Sequence, residues 1–226
     1  MRRLTIVLAG LAFALLVVGL ALYPMLQPTF TRVLEQQYGQ AHMAGLSPQR
    51  MLAVAEQVRE FVAENDAASL PASVDGRPGF DSAAVSHLRD VRRVLAGART
   101  FTGVLAALVV VWLAVEIVRG SLRTISSALL LGAALCAVFV VVGALAGLIN
   151  FDALFAWFHG LFFAAGTWEF PADSLLIEAF PDGFWVAAGV AWAALVAAGG
   201  LVLALAGWLV RRAETREHGT ASAGNP

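Results

Sequence analysis

Two histidines in this chain have the residue type and surroundings that proton-transfer chemistry needs. His87 lies in the run HLRDVRRV, and His159 lies in the run FHGLFFAAGTWEF. Imidazole has an unperturbed pKa of about 6.5, so its surroundings decide whether it accepts or donates a proton at neutral pH. His42 and His218 lie outside such motifs, and we interpret them as interfacial or hydrogen-bonded histidines. His87 and His159 are therefore candidates for general acid–base catalysis.

Two other interpretations of this pair are open at the level of residue types. A histidine among aromatic residues is more often an interfacial or hydrogen-bonded residue than a catalyst. A zinc site built from His87, His159 and carboxylates is conceivable, but no HExxH or CxxC spacing supports it. The single Cys136 lies inside an apolar run, so it forms neither a disulfide nor a thiolate metal site.

The composition predicts an integral membrane protein. Of the 226 residues, 59% are hydrophobic and 14% are charged, and the mean hydropathy is +0.76, which leaves too little polar surface for a soluble domain. A net charge of -1 excludes an extended nucleic-acid surface. We predict an all-α fold with four transmembrane helices and with extracytoplasmic amphipathic helices that form a lid or lip.

Four apolar segments are long enough to cross a hydrocarbon core of about 30 Å. They cover residues 1–23, 101–118, 124–149 and 183–210. The first follows Arg2 and Arg3, which is also typical of a cleaved signal peptide. Its apolar run exceeds the usual core of a signal peptide, and no small-x-small cleavage site precedes Pro24, so we interpret it as a retained helix.

The arginines in the short connections predict how the chain is oriented. They precede the first span, occupy the turn between the second and third spans, and follow the fourth. Because basic residues favour the cytoplasmic side, both termini are predicted to be cytoplasmic, including a tail over residues 211–226. The longer connections, residues 24–100 and 150–182, are then extracytoplasmic, and each carries one histidine of the pair.

The first long connection contains an amphipathic helix. Ser47 and Pro48 are typical of a helix start, and apolar residues then recur at helical spacing to about Asn65. This helix is expected either to lie on the membrane surface or to cover the second long connection. The stretch from Pro71 to Gly79 predicts a turn-rich loop.

A further helix, capped by Asp81 or Ser82, is predicted to carry His87. If it ran straight into the second span, it would hold His87 about 20 Å above Phe101, because an α-helix rises about 1.5 Å per residue. We therefore expect a break near Ala96 to Thr100, where a glycine would let the helix turn along the membrane surface.

The second long connection, residues 150–182, is strongly aromatic and is interrupted by prolines. Aromatic rings of this kind concentrate at the level of lipid headgroups. We predict a structured lip on one membrane face, with His159 in its middle.

Three stretches together resemble one family of bacterial membrane proteins. They are LSPQRMLAVAEQVREFVA, HLRDVRRV and FHGLFFAAGTWEFPADSLLIEAFPDGFW. Their order and the number of spans are similar to the lipoprotein intramolecular transacylase family, called Lit, over nearly the whole chain. The sequence departs from the family pattern at Ala84, where members often carry an acidic residue, and at Gly166-Thr167, where a polar Asn or Asp is frequent.

The resemblance implies an acyltransferase of the bacterial inner membrane, with His87 and His159 at the positions of the family's two catalytic histidines. Its substrate would be a diacylated lipoprotein held among membrane lipids. The sn-2 acyl chain would move from the diacylglyceryl group to the α-amino group of the N-terminal Cys, which leaves a lyso form. The resemblance implies no cofactor and no metal.

An ester-to-amide transfer has requirements that two imidazoles can meet. It needs a neutral amine, a base for the amine proton, and a donor to the oxyanion on the tetrahedral carbon. We predict that His159 is the base and that His87 donates to the oxyanion. The remaining predicted site residues, which bind substrate or support the histidines, are Asp90, Arg92, Phe158 and Trp168.

A non-enzymatic alternative is a membrane module that binds an envelope protein through its outer helices, with the histidines as pH-sensitive contacts. Imidazoles that face one pocket within about 5 to 8 Å would favour the enzyme, because one acyl carbonyl must reach both by hydrogen bonds of about 3 Å. Separated imidazoles would favour the module.

Overall fold

The chain is almost wholly helical in a computed structural model, which describes residues 2–64 and 69–223, with side chains described as far as Glu214. The helices are α1 (Arg2–Leu20), α2 (Leu22–Met25), α3 (Pro28–Tyr38), α4 (Pro48–Ala63), α5 (Ser82–Val118), α6 (Leu122–Ile149), α7 (Phe151–Gly160), α8 (Leu175–Ala179) and α9 (Asp182–Ala223). The strands β1 (Ser73–Val74) and β2 (Arg77–Pro78) pair antiparallel. The predicted all-α class is confirmed.

Four helical segments among the described residues are long and apolar enough to cross a membrane. They are Arg2–Met25, Ser82–Val118, Leu122–Ile149 and Asp182–Glu214. Large apolar side chains stay exposed along them, as expected where lipid rather than protein covers the helix. The protein is therefore a multi-pass membrane protein, as predicted.

One compact unit comprises Met1–Ala21, Thr100–Ala144 and Ala193–Pro226. Glycines let its helices approach closely: a Cβ at Gly132 would lie 2.9 Å from the Cβ of Phe13. Ser126 Oγ donates a 2.8 Å hydrogen bond to the carbonyl of Gly207. Small residues and interhelical hydrogen bonds are what hold apolar helices together where hydrocarbon surrounds them.

The other unit comprises Leu22–Arg99 and Leu145–Trp192 and carries both histidines of the predicted pair. Helix α4 starts as expected, because Ser47 Oγ accepts a 3.2 Å hydrogen bond from the backbone N–H of Arg50, with Pro48 in the first turn. Its apolar face is buried in the unit's core, which includes Met51, Val54, Val58, Phe61, Ala84, Leu88, Leu175, Leu176 and Ala179. The amphipathic helix thus covers part of the second long connection, one of the two expected placements.

Helix α5 runs without interruption from Ser82 to Val118, so the expected break near residues 96–100 is wrong. Its cap is Asp81, whose Oδ1 accepts a 2.8 Å hydrogen bond from the backbone N–H of Ala84. A glycine inside a helix costs only about 1 kcal/mol relative to alanine, which does not by itself interrupt a long helix. Arg99 also donates to the carbonyl of Ala63 at the end of α4, which holds this part of α5 in place.

The predicted turn-rich loop contains the β1–β2 hairpin. Asp75 and Gly76 form its turn with φ of 50° and 85°, the left-handed conformation that two-residue hairpin turns require. Arg77 follows this turn directly in β2, so the turn determines the position of the Arg77 backbone.

Candidate active site

His87 lies in the second turn of α5, on the face that packs into the core. Its neighbours Ala84 and Leu88 belong to the buried cluster, and His87 itself is only 8% exposed. The ring contacts Phe163 and Phe170, with centroid distances of 4.9 and 5.6 Å. Its Nδ1 is buried and has no hydrogen-bond partner among the described residues. A buried polar atom of this kind is costly unless a partner arrives, so Nδ1 is a candidate substrate contact.

His159 lies in the last turn of α7. This helix begins at Phe151 because Asn150 has an extended backbone and its side chain accepts a 3.0 Å hydrogen bond from the backbone N–H of Ala153. His159 Nδ1 lies 2.9 Å from the carbonyl oxygen of Phe155, one turn earlier. A carbonyl can only accept, so Nδ1 carries the proton and Nε2 of the neutral ring is left with its lone pair.

Four aromatic rings surround the imidazole of His159. Their centroid distances from it are 4.0 Å for Phe155, 4.7 Å for Trp168, 5.7 Å for Phe163 and 5.8 Å for Phe158. Burial lowers the pKa of His159 below its usual value, and the Phe155 carbonyl partly opposes this effect by favouring the protonated ring. His159 is therefore neutral at neutral pH, the state that a base requires.

The structure brings the two imidazoles together. Their centroids are 6.3 Å apart and their planes differ by 28°. The ring of Phe163 contacts both of them. The separation lies in the range that one acyl carbonyl shared by both rings requires. Two like charges at this distance would oppose each other, which disfavours protonation of both rings at once.

The four predicted supporting residues divide into two groups. Phe158 and Trp168 contact His159 directly. Asp90 instead forms an ion pair with Arg93, and the guanidinium of Arg92 lies 4.8 Å from the ring centroid of Phe61. Asp90 is still close enough for its charge to act on His87.

Three contacts of the site were not predicted from the sequence: Phe163 and Phe170 against His87, and the Phe155 carbonyl on His159. The Phe155 contact had a local signal, because residues four apart on a helix lie on the same face. Phe170 had no such signal, since it lies in a segment without regular helix.

No group of three or more His, Cys, Asp or Glu residues that could hold a metal ion occurs in the described part of the chain.

A family model described as lipoprotein intramolecular transacylase Lit matches residues 5–185. Among solved structures, the membrane-integral lipoprotein intramolecular transacylase Lit from Bacillus cereus superposes with a TM-score of 0.80 at 19% identity, covering 95% of this chain and 98% of that one. A histidine-substituted form of the same Bacillus cereus protein gives a TM-score of 0.75 at 15% identity, covering 96% of both chains. No protein of curated function matches the sequence.

Proposed function

This chain belongs to the lipoprotein intramolecular transacylase family, Lit, and we propose that it moves an acyl chain within a diacylated bacterial lipoprotein. The acyl group leaves the sn-2 oxygen of the diacylglyceryl group and joins the α-amino nitrogen of the N-terminal Cys, giving the lyso form. Family membership makes the chain an acyltransferase. The observation that best supports the proposed chemistry is the pair of imidazoles 6.3 Å apart, of which His87 is buried and His159 is half-buried.

His159 is the base in this proposal. Its Nε2 carries the lone pair because the Phe155 carbonyl engages Nδ1, and its lowered pKa keeps the ring neutral. As the amine nitrogen bonds to the acyl carbon, Nε2 takes the amine proton. When the bond between that carbon and the glyceryl oxygen breaks, the same nitrogen returns the proton to the leaving oxygen.

His87 stabilises the tetrahedral intermediate in this proposal. Its buried Nδ1 lacks a partner among the described residues, and in the Nδ1–H tautomer it donates to the oxyanion on the acyl carbon. The negative charge of Asp90 acts on the His87 ring. The guanidinium of Arg92 lies over the ring of Phe61, and we assign it to contact with a lipid headgroup. No protein nucleophile is required, because the amine and the ester belong to one substrate and positioning alone provides a large effective molarity.

The aromatic rings favour transfer to the amine over hydrolysis. Water that reached the acyl carbon would compete with the amine and release a fatty acid. Phe155, Phe158, Phe163 and Trp168 contact the half-buried imidazole of His159, which limits the space for water beside the base. Phe158 and Trp168 also provide the apolar surface that an acyl chain needs beside the base.

The distribution of arginines supports a placement of the site on the extracytoplasmic face of the bacterial inner membrane, with both termini cytoplasmic. Residues 24–100 and 150–182, which carry the histidines, then meet lipoprotein substrates and outer-leaflet lipids. The non-enzymatic module has no specific observation in its favour.

Mass spectrometry of a lipoprotein's N-terminal peptide tests the proposal. In cells that supply diacylated lipoprotein, expression of this protein should produce the N-acyl, S-monoacylglyceryl form, and expression of a His159→Asn variant should not. A diacylglyceryl peptide with a free amine in both cultures would refute the proposed activity.

A further inference from the structure

A cleft of about 470 Å³ lies beside the histidine pair, within the unit formed by Leu22–Arg99 and Leu145–Trp192. This volume lies within the range of about 300 to 1,000 Å³ that is typical of ligand sites. Its lining combines apolar and charged side chains, among them Phe80, Phe170, Leu176, Arg77, Asp81 and Glu178.

The cleft and the histidine pair share a wall. Phe170 lines the cleft, and its ring centroid lies 5.6 Å from that of His87. Ala84 also lines the cleft, one turn of α5 before His87. Neither imidazole lines the cleft itself, so a molecule that reacts at the imidazoles and also enters the cleft has to pass the ring of Phe170.

Charged groups in the cleft are held in fixed positions. Arg77 donates to the carbonyl of Ala44 at 2.8 Å and to the carbonyl of Asp173 at 3.2 Å. Its Nη1 also lies 2.6 Å from Oε2 of Glu178. The cleft lining includes this one guanidinium and three carboxylates, those of Asp81, Asp173 and Glu178. The cleft is therefore a negative environment with one fixed cation.

Glu178 has unused hydrogen-bonding capacity. The residue is only 4% exposed, and its Oε2 is paired with Nη1 of Arg77 at 2.6 Å. A carboxylate has about four acceptor sites, so this one contact does not fill them. A buried carboxylate is expensive unless N–H donors complete its shell. A ligand that brings N–H groups or a cation into the cleft would supply them.

We propose that this cleft binds the peptide segment that directly follows the N-terminal Cys of the substrate lipoprotein, and that it prefers basic to acidic residues there. The inference rests on the proposed transacylation. The acyl and glyceryl parts of that substrate offer no N–H donors to Glu178, whereas a peptide offers one at nearly every residue. Because the reacting amine is the first atom of this segment, holding the segment beyond Phe170 keeps the amine beside the imidazoles.

Synthetic diacylglyceryl-cysteinyl peptides with Lys, Gln or Glu at the second and third positions test the inference. The full-length protein in vesicles of uncharged lipid should convert the Lys peptide at least about threefold faster than the Glu peptide, since exposed charge pairs each change an equilibrium by about 1.4- to 5-fold. An Asp81→Asn, Asp173→Asn double variant should bring this ratio towards one. Asn keeps the helix cap at Asp81 because it is as good an N-cap residue as Asp.

Asp75→Asn is the matched control, because it removes a carboxylate from the same unit at a residue outside the cleft lining. Asn also suits its φ of 50°. This control should keep the ratio of the parent protein.

Equal rates for the Lys and Glu peptides, or a ratio that the double variant leaves unchanged, would overturn the inference while the transacylation stands. A ratio that follows the content of ammonium-bearing lipid instead of the peptide would assign the cleft to a lipid headgroup and also overturn it. If none of the three peptides yields an N-acyl product, the proposed transacylation fails and the inference fails with it.

Discussion

The two imidazoles have different hydrogen-bond surroundings, and this difference is the basis for giving them different roles. His159 has its Nδ1 engaged by a backbone carbonyl, while Nδ1 of His87 is buried without a described partner. A ring with a fixed tautomer and a lowered pKa suits proton acceptance. A buried nitrogen that lacks a partner suits a hydrogen bond that forms only with the intermediate.

His159→Asn should abolish most of the activity. Asn keeps a polar side chain of similar reach but cannot accept a proton, and general base catalysis contributes a factor of about 100 to 10,000. Conversion of diacyl to lyso-lipoprotein should be measured on variants that accumulate normally in the membrane. His42→Asn is the matched control, since His42 is an exposed histidine of the same unit and should tolerate the change. A normal rate for His159→Asn would refute the assignment of His159 as the base.

His87 should show a graded response. His87→Ala removes the donor to the oxyanion and should cost about 3 to 4 kcal/mol of transition-state stabilisation, or roughly 100- to 1,000-fold in rate. His87→Asn keeps an N–H donor and should retain more activity than the alanine variant. Single-turnover rates with equal membrane levels of both variants provide the comparison. Alanine activity equal to that of the parent protein would exclude the oxyanion role.

The pH dependence should follow from the lowered pKa of His159. Protonation of Nε2 removes the base, so the rate should fall as the pH decreases through that pKa. Because burial lowers it, the midpoint should lie below the ordinary histidine value of about 6.5. Rates on a diacylglyceryl peptide between about pH 4 and 8 give the midpoint. Protonation of the peptide amine, whose ordinary pKa is about 7.7 to 8.0, gives a separate fall in rate at higher pH, so the His159 fall should appear below it. A profile that shows only the fall of the amine over this range would contradict a half-buried neutral base.

At the scale of elements, the length of α5 and the start of α7 position the site. α5 carries His87 on its buried face, and α7 begins at the Asn150 cap, immediately after α6 ends at Ile149. From this cap, His159 falls in the last turn of α7, four residues after the carbonyl that orients it. Each helix thus places its histidine through local backbone rules, and the ring of Phe163 contacts both imidazoles where the two helices meet.

Gly97→Ala tests whether α5 is continuous. A Cβ at this position meets no heavy atom within 4 Å, and a helical backbone accepts alanine without strain. The substitution should therefore stabilise the protein by about 0.5 to 1 kcal/mol. Gly76→Ala is the matched control, since its Cβ also has open space but its φ of 85° should make alanine destabilising. Thermal unfolding in detergent compares the two, and a loss of stability in Gly97→Ala would indicate a bend there.

At the scale of the whole molecule, four spans place both termini on one side of the membrane. In the proposed orientation, with the arginine-rich connections inside, the two long connections lie outside. This orientation would place the proposed reaction at the outer face of the membrane, and thiol labelling can test it directly.

Cysteine labelling tests the orientation. Asp75→Cys and Asp173→Cys lie on the two long connections and should react with a membrane-impermeant thiol reagent on intact cells. Arg123→Cys, in the first turn of α6 beside its short connection to α5, should react only after the membrane is opened. The native Cys136 is buried and should contribute little background. Protection of both Asp positions on intact cells would reverse the predicted orientation.

Properties that depend on a few neighbouring residues could be read from the sequence alone. Hydropathy identified four spans and the membrane class, because transfer into hydrocarbon depends on the apolar content of each segment. The Ser47 cap and the amphipathic pattern identified α4, because a helix cap and an apolar helix face also depend only on residues that are close in the sequence. The motifs around His87 and His159 indicated the family and the candidate pair.

Only the tertiary structure decided which side chains meet. The approach of His87 to His159 and the contacts of Phe163 and Phe170 with His87 depend on helix lengths and on how the helices pack. The same holds for α5, where the sequence suggested a bend at a glycine. Hydrogen bonds along the helix and the Arg99 contact with α4 outweigh the small cost of that glycine. Local patterns do not encode such distances, because the position of a side chain relative to a remote one accumulates from every turn and packing contact between them.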